Sequence, residues 1–140
     1  MVYTMTTIFM YYTISLKFSY VPLELSFQPY ASYNDGADFP DSATYRNYQN
    51  NGGTMSKGDW RRENVNYMIK STNDIIKELK PWVTFGVAPF GIWRPDNPPG
   101  IVGLDAYEAL YCDSKKWINE GWLDYIAPQL YVRTISCCAQ

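Results

Sequence analysis

Two short apolar segments separated by one amphipathic region constrain the fold of this chain most strongly. The first, Trp82 to Ala88 (Trp-Val-Thr-Phe-Gly-Val-Ala), lies between Pro81 and Pro89. The second, Leu123 to Tyr131, reads Leu-Asp-Tyr-Ile-Ala-Pro-Gln-Leu-Tyr. Apolar runs of this length suit strands covered on both faces. Between them the pattern predicts a helical region from about Asp105 to Glu120, opened by Asp105 and Glu108 at capping-box spacing and closed by Gly121. Asp113-Ser114 marks a restart within it. Strand, helix and strand joined this closely form a crossover, which makes the two strands parallel.

A further helix precedes the first strand. Asp59 is its expected N-cap, and Val65, Met68/Ile69, Thr72, Ile75/Ile76 and Leu79 recur at helical spacing until Pro81 stops it. Arg62, Lys70 and Lys77 are expected in water. Residues 29–58 are dense in Asn, Asp, Gly, Ser and Tyr, which reads as a long surface loop. Residues 1–28 differ in texture, being rich in Tyr, Thr, Phe and Met with a first charge at Lys17. They show neither the basic start and small-residue cleavage site of a signal peptide nor the run of about 18 apolar residues of a membrane span. They read as a β-prone segment.

Composition narrows the function. A net charge of −2 gives no basic footprint, so nucleic acid is not an expected partner. The chain contains no histidine, which excludes Ser-His-Asp and Cys-His catalysis and any His-containing zinc site within it. Cys112, Cys137 and Cys138 form no metal spacing or disulfide framework, and Cys112 reads as a small apolar filler. No cofactor or metal is expected. An aromatic content of 17% suits core packing and carbohydrate stacking alike.

Four stretches in order, DFPDSATY (38–45), DWRRENVN (59–66), PWVTFGVAPFGIWRP (81–95) and NPPGIVGLDAYEALYCDSKKWINEGWLDYIAPQLY (97–131), closely resemble the glycosyl-hydrolase-like family 10 proteins. These are TIM-barrel glycosidase-like proteins. The resemblance covers about residues 29–131 and implies an α/β fold, a partial (β/α)8 barrel of about strands 4–6 with their helices, the strands parallel. A complete barrel needs roughly 250 residues. The resemblance also implies a glycoside hydrolase acting on O-glycosidic bonds of a poly- or oligosaccharide, and proteins of this kind are often exported.

In that family the fourth strand ends in a motif like D-G-V-H-x-D-D-Y-F-Y-P-Y, whose paired aspartates are the expected catalytic carboxylates. Only its tail, Pro29-Tyr30, stands here, so the chain alone is expected to be inactive. The alternative is a non-catalytic carbohydrate-binding or structural remnant. Codon degeneracy offers an account of the ends. Read two bases on, codons for residues 1–10 permit Gly-Val-His-x-Asp-Asp-Tyr-Phe-Tyr, with splice signals permitted after Met10, before Pro29 and after Tyr131. Three parts are therefore expected: an anomalous segment 1–28, out of frame over 1–10 and intron-derived over 11–28; a partial barrel 29–131; and an anomalous, intron-derived tail 132–140, with natural divergent termini as the alternative account of both ends.

The candidate site residues follow from this placement. Trp93 and Arg94 follow the first strand on the barrel rim that carries chemistry. Trp93 would stack on a sugar face and Arg94 would bind a hydroxyl or carboxylate. The competing reading is a loop locked by Trp packing and an Arg94–Asp96 pair. Gln129 and Tyr131, at alternate positions of the last strand, would face the same pocket or pack the barrel core. Trp60, Arg61 and Asn64 would brace the catalytic loop or form a structural clamp. Glycoside hydrolysis wants two carboxylates. Asp96 is the one candidate acid behind a strand end, and a turn-forming role competes with catalysis there.

Overall fold

Ser56 opens the dominant element of the fold. Its hydroxyl accepts from the Asp59 backbone N–H at 3.1 Å and donates to the Asp59 carboxylate at 2.6 Å. The N-cap is therefore Ser56, not Asp59, which instead sits in the first turn as the cap's reciprocal partner. The computed structural model describes residues 13–18, 21–26 and 38–130. Strands β1 (Thr13–Phe18) and β2 (Val21–Ser26) are followed by helices α1 (Ser42–Asn50) and α2 (Lys57–Leu79), and then by strand β3 (Thr84–Ala88). Two short helices, α3 (Ala106–Ala109) and α4 (Ser114–Asn119), lead to strand β4 (Tyr125–Ile126). Residues 1–12, 19–20, 27–37 and 131–140, and with them the expected tail 132–140, lie outside the described residues.

The parallel pair is present. Gly86 and Val87 register with Tyr125 and Ile126. The ladder continues past both strands through Asp124 N–Phe85 O (2.8 Å), Ala127 N–Val87 O (3.0 Å), Gln129 N–Pro89 O (2.8 Å) and Gly91 N–Gln129 O (3.1 Å). The helical region between them breaks at the expected point. Asp105 caps α3 through the Glu108 N–H at 2.9 Å, and Asp113 caps α4. Tyr111 sits in the break with φ +54, and Gly121 ends α4 with φ +67.

Three expectations are corrected. The strand set is mixed rather than parallel throughout. The sheet order is β2-β1-β3-β4, and β1 runs antiparallel along β3 from Thr13↔Ala88 to Lys17↔Thr84. An unpaired strand edge is a row of unsatisfied backbone groups, and the hairpin supplies the partners. Secondly, the segment 29–58 is not loop throughout, because it contains α1. Thirdly, Arg62 is buried, at 6% exposure.

The sheet carries its core on one face. Phe85 and Val87 pack with Val65 and Ile69 of α2, Ala106 and Leu110 of the α3 region, Cys112, and Trp117 of α4. On the opposite face Tyr125 lies over Gly86, where a Cβ would stand 2.4 Å from the ring. The apolar stripe of α2 fades toward its end, and Ile75 and Leu79 are exposed. There the helix is held by charge: Lys77 reaches Asp124 at 2.6 Å and the Val83 carbonyl at 2.9 Å, while the same carboxylate accepts from Phe85 N at 2.6 Å. No helix among the described residues is long and apolar enough to cross a membrane.

One polar contact is buried inside the core. The Trp117 indole N–H donates to Asn66 Oδ1 at 2.7 Å, joining α4 to α2. Asn66→Ala leaves that N–H buried without its acceptor and is expected to cost about 1–3 kcal/mol. Urea denaturation checks this, and an unchanged midpoint would show the bond to be dispensable.

Candidate functional site

Adjacent arginines on the first turns of α2 hold two different parts of the molecule. Arg61, 4% exposed, grips Asp41 with a two-point fork, Nε to Oδ2 at 2.6 Å and Nη2 to Oδ1 at 2.8 Å. It also donates to Asp38 at 2.9 Å, to the Phe39 carbonyl at 3.3 Å and to the Tyr111 hydroxyl at 2.8 Å. Lys57, one turn earlier, reaches Asp38 at 2.7 Å and Asp41 at 3.1 Å. The expected bracing by Arg61 thus falls on residues 38–41 and on the α3–α4 break.

The electrostatics follow from this geometry. Burial pushes the Asp41 carboxyl up, but hydrogen bonds from Arg61 and Lys57 outweigh it and hold the pKa below the ordinary value. The Lys57 hydrogen bond holds Asp38 lower still, at about 2, with Arg61 assisting against a modest desolvation cost. Burial likewise opposes charge on Arg61, and its bonds to Asp41, Tyr111 and Asp38 more than restore it. Trp60 packs beside this clamp against Tyr45 and Tyr48, with ring centroids at 5.3 and 6.1 Å. Asn64 takes no part in it: its side chain finds no hydrogen-bond partner among the described residues, and Asn66 is the asparagine that α2 uses internally.

Arg62 turns to the rim loop. Its guanidinium lies 3.7 Å from the centre of the Tyr107 ring and donates to the Tyr107 carbonyl at 3.3 and 3.4 Å. It also pairs with Asp59 at 2.6 Å and Glu108 at 3.4 Å. Arg94 stands 4.8 Å from the centre of the same ring and reaches Glu108 at 3.4 Å and Asp105 at 3.7 Å. The alternative Arg94–Asp96 pair does not form. Trp93 meets Tyr107 edge-on, with centroids 5.7 Å apart, and its carbonyl accepts from the Tyr107 N–H at 3.0 Å.

Trp93 also lines an open recess of about 320 Å³ beyond the C-terminal ends of β3 and β4. Pro89, Phe90, Ile126 and Pro128 form its apolar floor, and Asn97, Ser114 and Lys115 add polar groups. The Lys115 ammonium sits 4.9 Å from the centre of the Trp93 ring. The Trp93 indole nitrogen is buried without a hydrogen-bond partner among the described residues. Such a surface, flat aromatic beside donors, suits a ligand with both an apolar face and acceptors.

The other expected contact residues do not share this wall. Arg94 does not line the recess. The Gln129 side chain donates to the Ala88 carbonyl at 2.9 Å, bridging the strands of the parallel pair. Tyr131 lies outside the described residues. Asp96 adopts φ +55, and its carboxylate accepts from Gly100 N at 3.3 Å while its own N–H donates to the Ile101 carbonyl. No carboxylate lines the recess, and no group of three or more His, Cys, Asp or Glu among the described residues could hold a metal ion. Tyr107, Arg62 and Lys115 are the rim residues that sequence reasoning missed.

The family model described as Glycosyl hydrolase-like 10 matches residues 23–140. Over 101 residues, 69% of the chain, the sequence is 46% identical to glycosyl hydrolase YngK of Bacillus subtilis (strain 168). Over 100 residues it is 44% identical to glycosyl hydrolase DigH of Escherichia coli (strain K12). The matched stretch is 20% of the first relative and 22% of the second, so the chain spans about a fifth of their length.

The Arg61 clamp makes stability depend on acid. Carboxyls whose folded pKa is depressed contribute stability above the ordinary value of about 3.9 and lose it as pH falls toward the folded value. For Asp38 that folded value is about 2, which sets the window between roughly pH 4 and pH 2. Asp41→Asn with Asp38→Asn is expected to flatten the fall in urea midpoint across this window. Parallel slopes for the variant and the parent would contradict the assignment. Arg61→Met, which strands Asp41 beside Lys57 alone, is expected to cost about 3 kcal/mol at pH 7.

Proposed function

The chain belongs to the glycosyl hydrolase-like 10 family, and from that premise we propose that it forms part of the carbohydrate-facing wall of a glycoside hydrolase. In this reading β3 and β4 are neighbouring strands of a (β/α)8 barrel, about the fifth and sixth, and the loop after β3 belongs to its active rim. The parallel register and the placement of the Trp93 loop beyond the strand ends support it. Trp93 supplies the contact face for a pyranose ring of a poly- or oligosaccharide. Arg94 and Gln129 shape the rim from behind it.

The single observation that carries this reading is the Trp93 wall at the C-terminal ends of a parallel pair, inside a stretch matched to glycosyl hydrolases. The chemistry itself needs two carboxylates about 5–9.5 Å apart. The recess offers none, and Asp96 is engaged in closing its own turn. We therefore assign the acid and nucleophile to the aspartate pair of the family's fourth strand, and assign this chain binding without hydrolysis.

Isothermal titration of the 140-residue chain with soluble tetrasaccharides of glucose, xylose and N-acetylglucosamine tests both halves. At least one is expected to bind. Trp93→Ala should weaken that binding by about tenfold or more, the value of an aromatic–ring stack. Reducing-end assays should show no release by the chain alone. Binding indifferent to Trp93 would sink the contact assignment, and hydrolysis would sink the division of labour.

A further inference from the structure

Tyr107 is held from several sides, through its ring and its backbone. Guanidiniums approach its ring at 3.7 Å (Arg62) and 4.8 Å (Arg94), its backbone N–H is spent on the Trp93 carbonyl, and its own carbonyl accepts from Arg62. Its edge-on contact with Trp93 is the one aromatic contact of the Trp93 ring with another ring among the described residues. Tyr107 does not line the recess, so it touches the ligand space only through Trp93.

We infer that Tyr107 is a positioning residue that fixes the plane of Trp93 and transmits the rigidity of α2 to the rim loop. A tryptophan ring free to rotate about its side-chain torsions must be ordered on binding, and that ordering lowers affinity. A T-shaped aromatic contact restricts those torsions in advance. The contact is strong only if the tyrosine ring is itself fixed, and the buried Arg62, anchored by Asp59 and Glu108, provides that. The Tyr107 hydroxyl takes no part in these contacts, so the ring alone carries the role. This inference rests on Trp93 being the sugar contact.

The test compares Tyr107→Phe and Tyr107→Met in the 140-residue chain by titration with the tightest-binding of the three tetrasaccharides. Phenylalanine keeps the ring and should bind within about twofold of the parent, whereas methionine fills the volume without it and should bind about three- to tenfold more weakly. Tyr107→Met binding as the parent does would overturn the inference, as would a large loss on Tyr107→Phe, which would place the hydroxyl on the ligand. If the methionine variant does not fold, Arg62→Met removes the support from behind the ring and should weaken binding in the same direction. Unchanged affinity in that variant would equally overturn the inference. Trp93→Ala separates the two claims: retained binding there refutes the sugar contact itself. Loss there with none in Tyr107→Met refutes the positioning role alone.

Discussion

The fork between Arg61 and Asp41 is the constraint on which the other parts of the structure depend. A buried guanidinium cannot shed its proton, so it must be matched by carboxylate and by acceptors on its remaining nitrogens. Asp41 provides the first match, and Asp38, the Phe39 carbonyl and Tyr111 provide the rest. Those partners come from two segments far apart in sequence. Satisfying one side chain therefore fixes the approach to α1 and the break between α3 and α4 against the same helical turn. The Tyr111 backbone, at φ +54, holds an uncommon conformation in return for presenting its hydroxyl there.

Arg62 repeats the device one residue on, with a softer partner. Cation–π contact with Tyr107 and paired bonds to its carbonyl tie the rim loop to α2. Neighbouring helical positions point about 100° apart, so adjacent arginines reach different sides of the helix. The first turns of α2 thus bracket the segment 38–41 on one side and the Trp93 loop on the other. The Trp93 loop is thereby tied to the same helical turn as the segment 38–41.

Much of the scaffold was legible in the sequence because its signals are local. Asp105 and Glu108 at cap spacing, Gly121 at a helix end, Val65 and Ile69 on one stripe, and the two strands of the parallel ladder all follow from short-range chemistry. The site was less legible because its contacts are tertiary. Arg62 looks like a solvated helix residue until Tyr107, 45 positions away, covers it. Asn64 and Asn66 are equivalent in composition, and only the Trp117 indole selects the second. Helix α1 buries no residue and has no side-chain cap bond, so nothing local announced it. It is secured by Tyr45 and Tyr48, which stack near Trp60 and bond the Met55 backbone at 2.8 and 3.2 Å.

The five tryptophans make the central claim directly measurable, because each indole N–H gives its own resonance and only one belongs to the proposed sugar contact. Trp60 and Trp117 are buried in the clamp and core, Trp122 is partly buried, and Trp82 is 73% exposed at the opposite end of β3 from Trp93. Nitrogen-15 NMR of the 140-residue chain during titration with a bound tetrasaccharide therefore distinguishes them. The Trp93 indole peak is expected to move saturably while the other four stay in place. Movement of the exposed Trp82 indole with a stationary Trp93 would contradict the account.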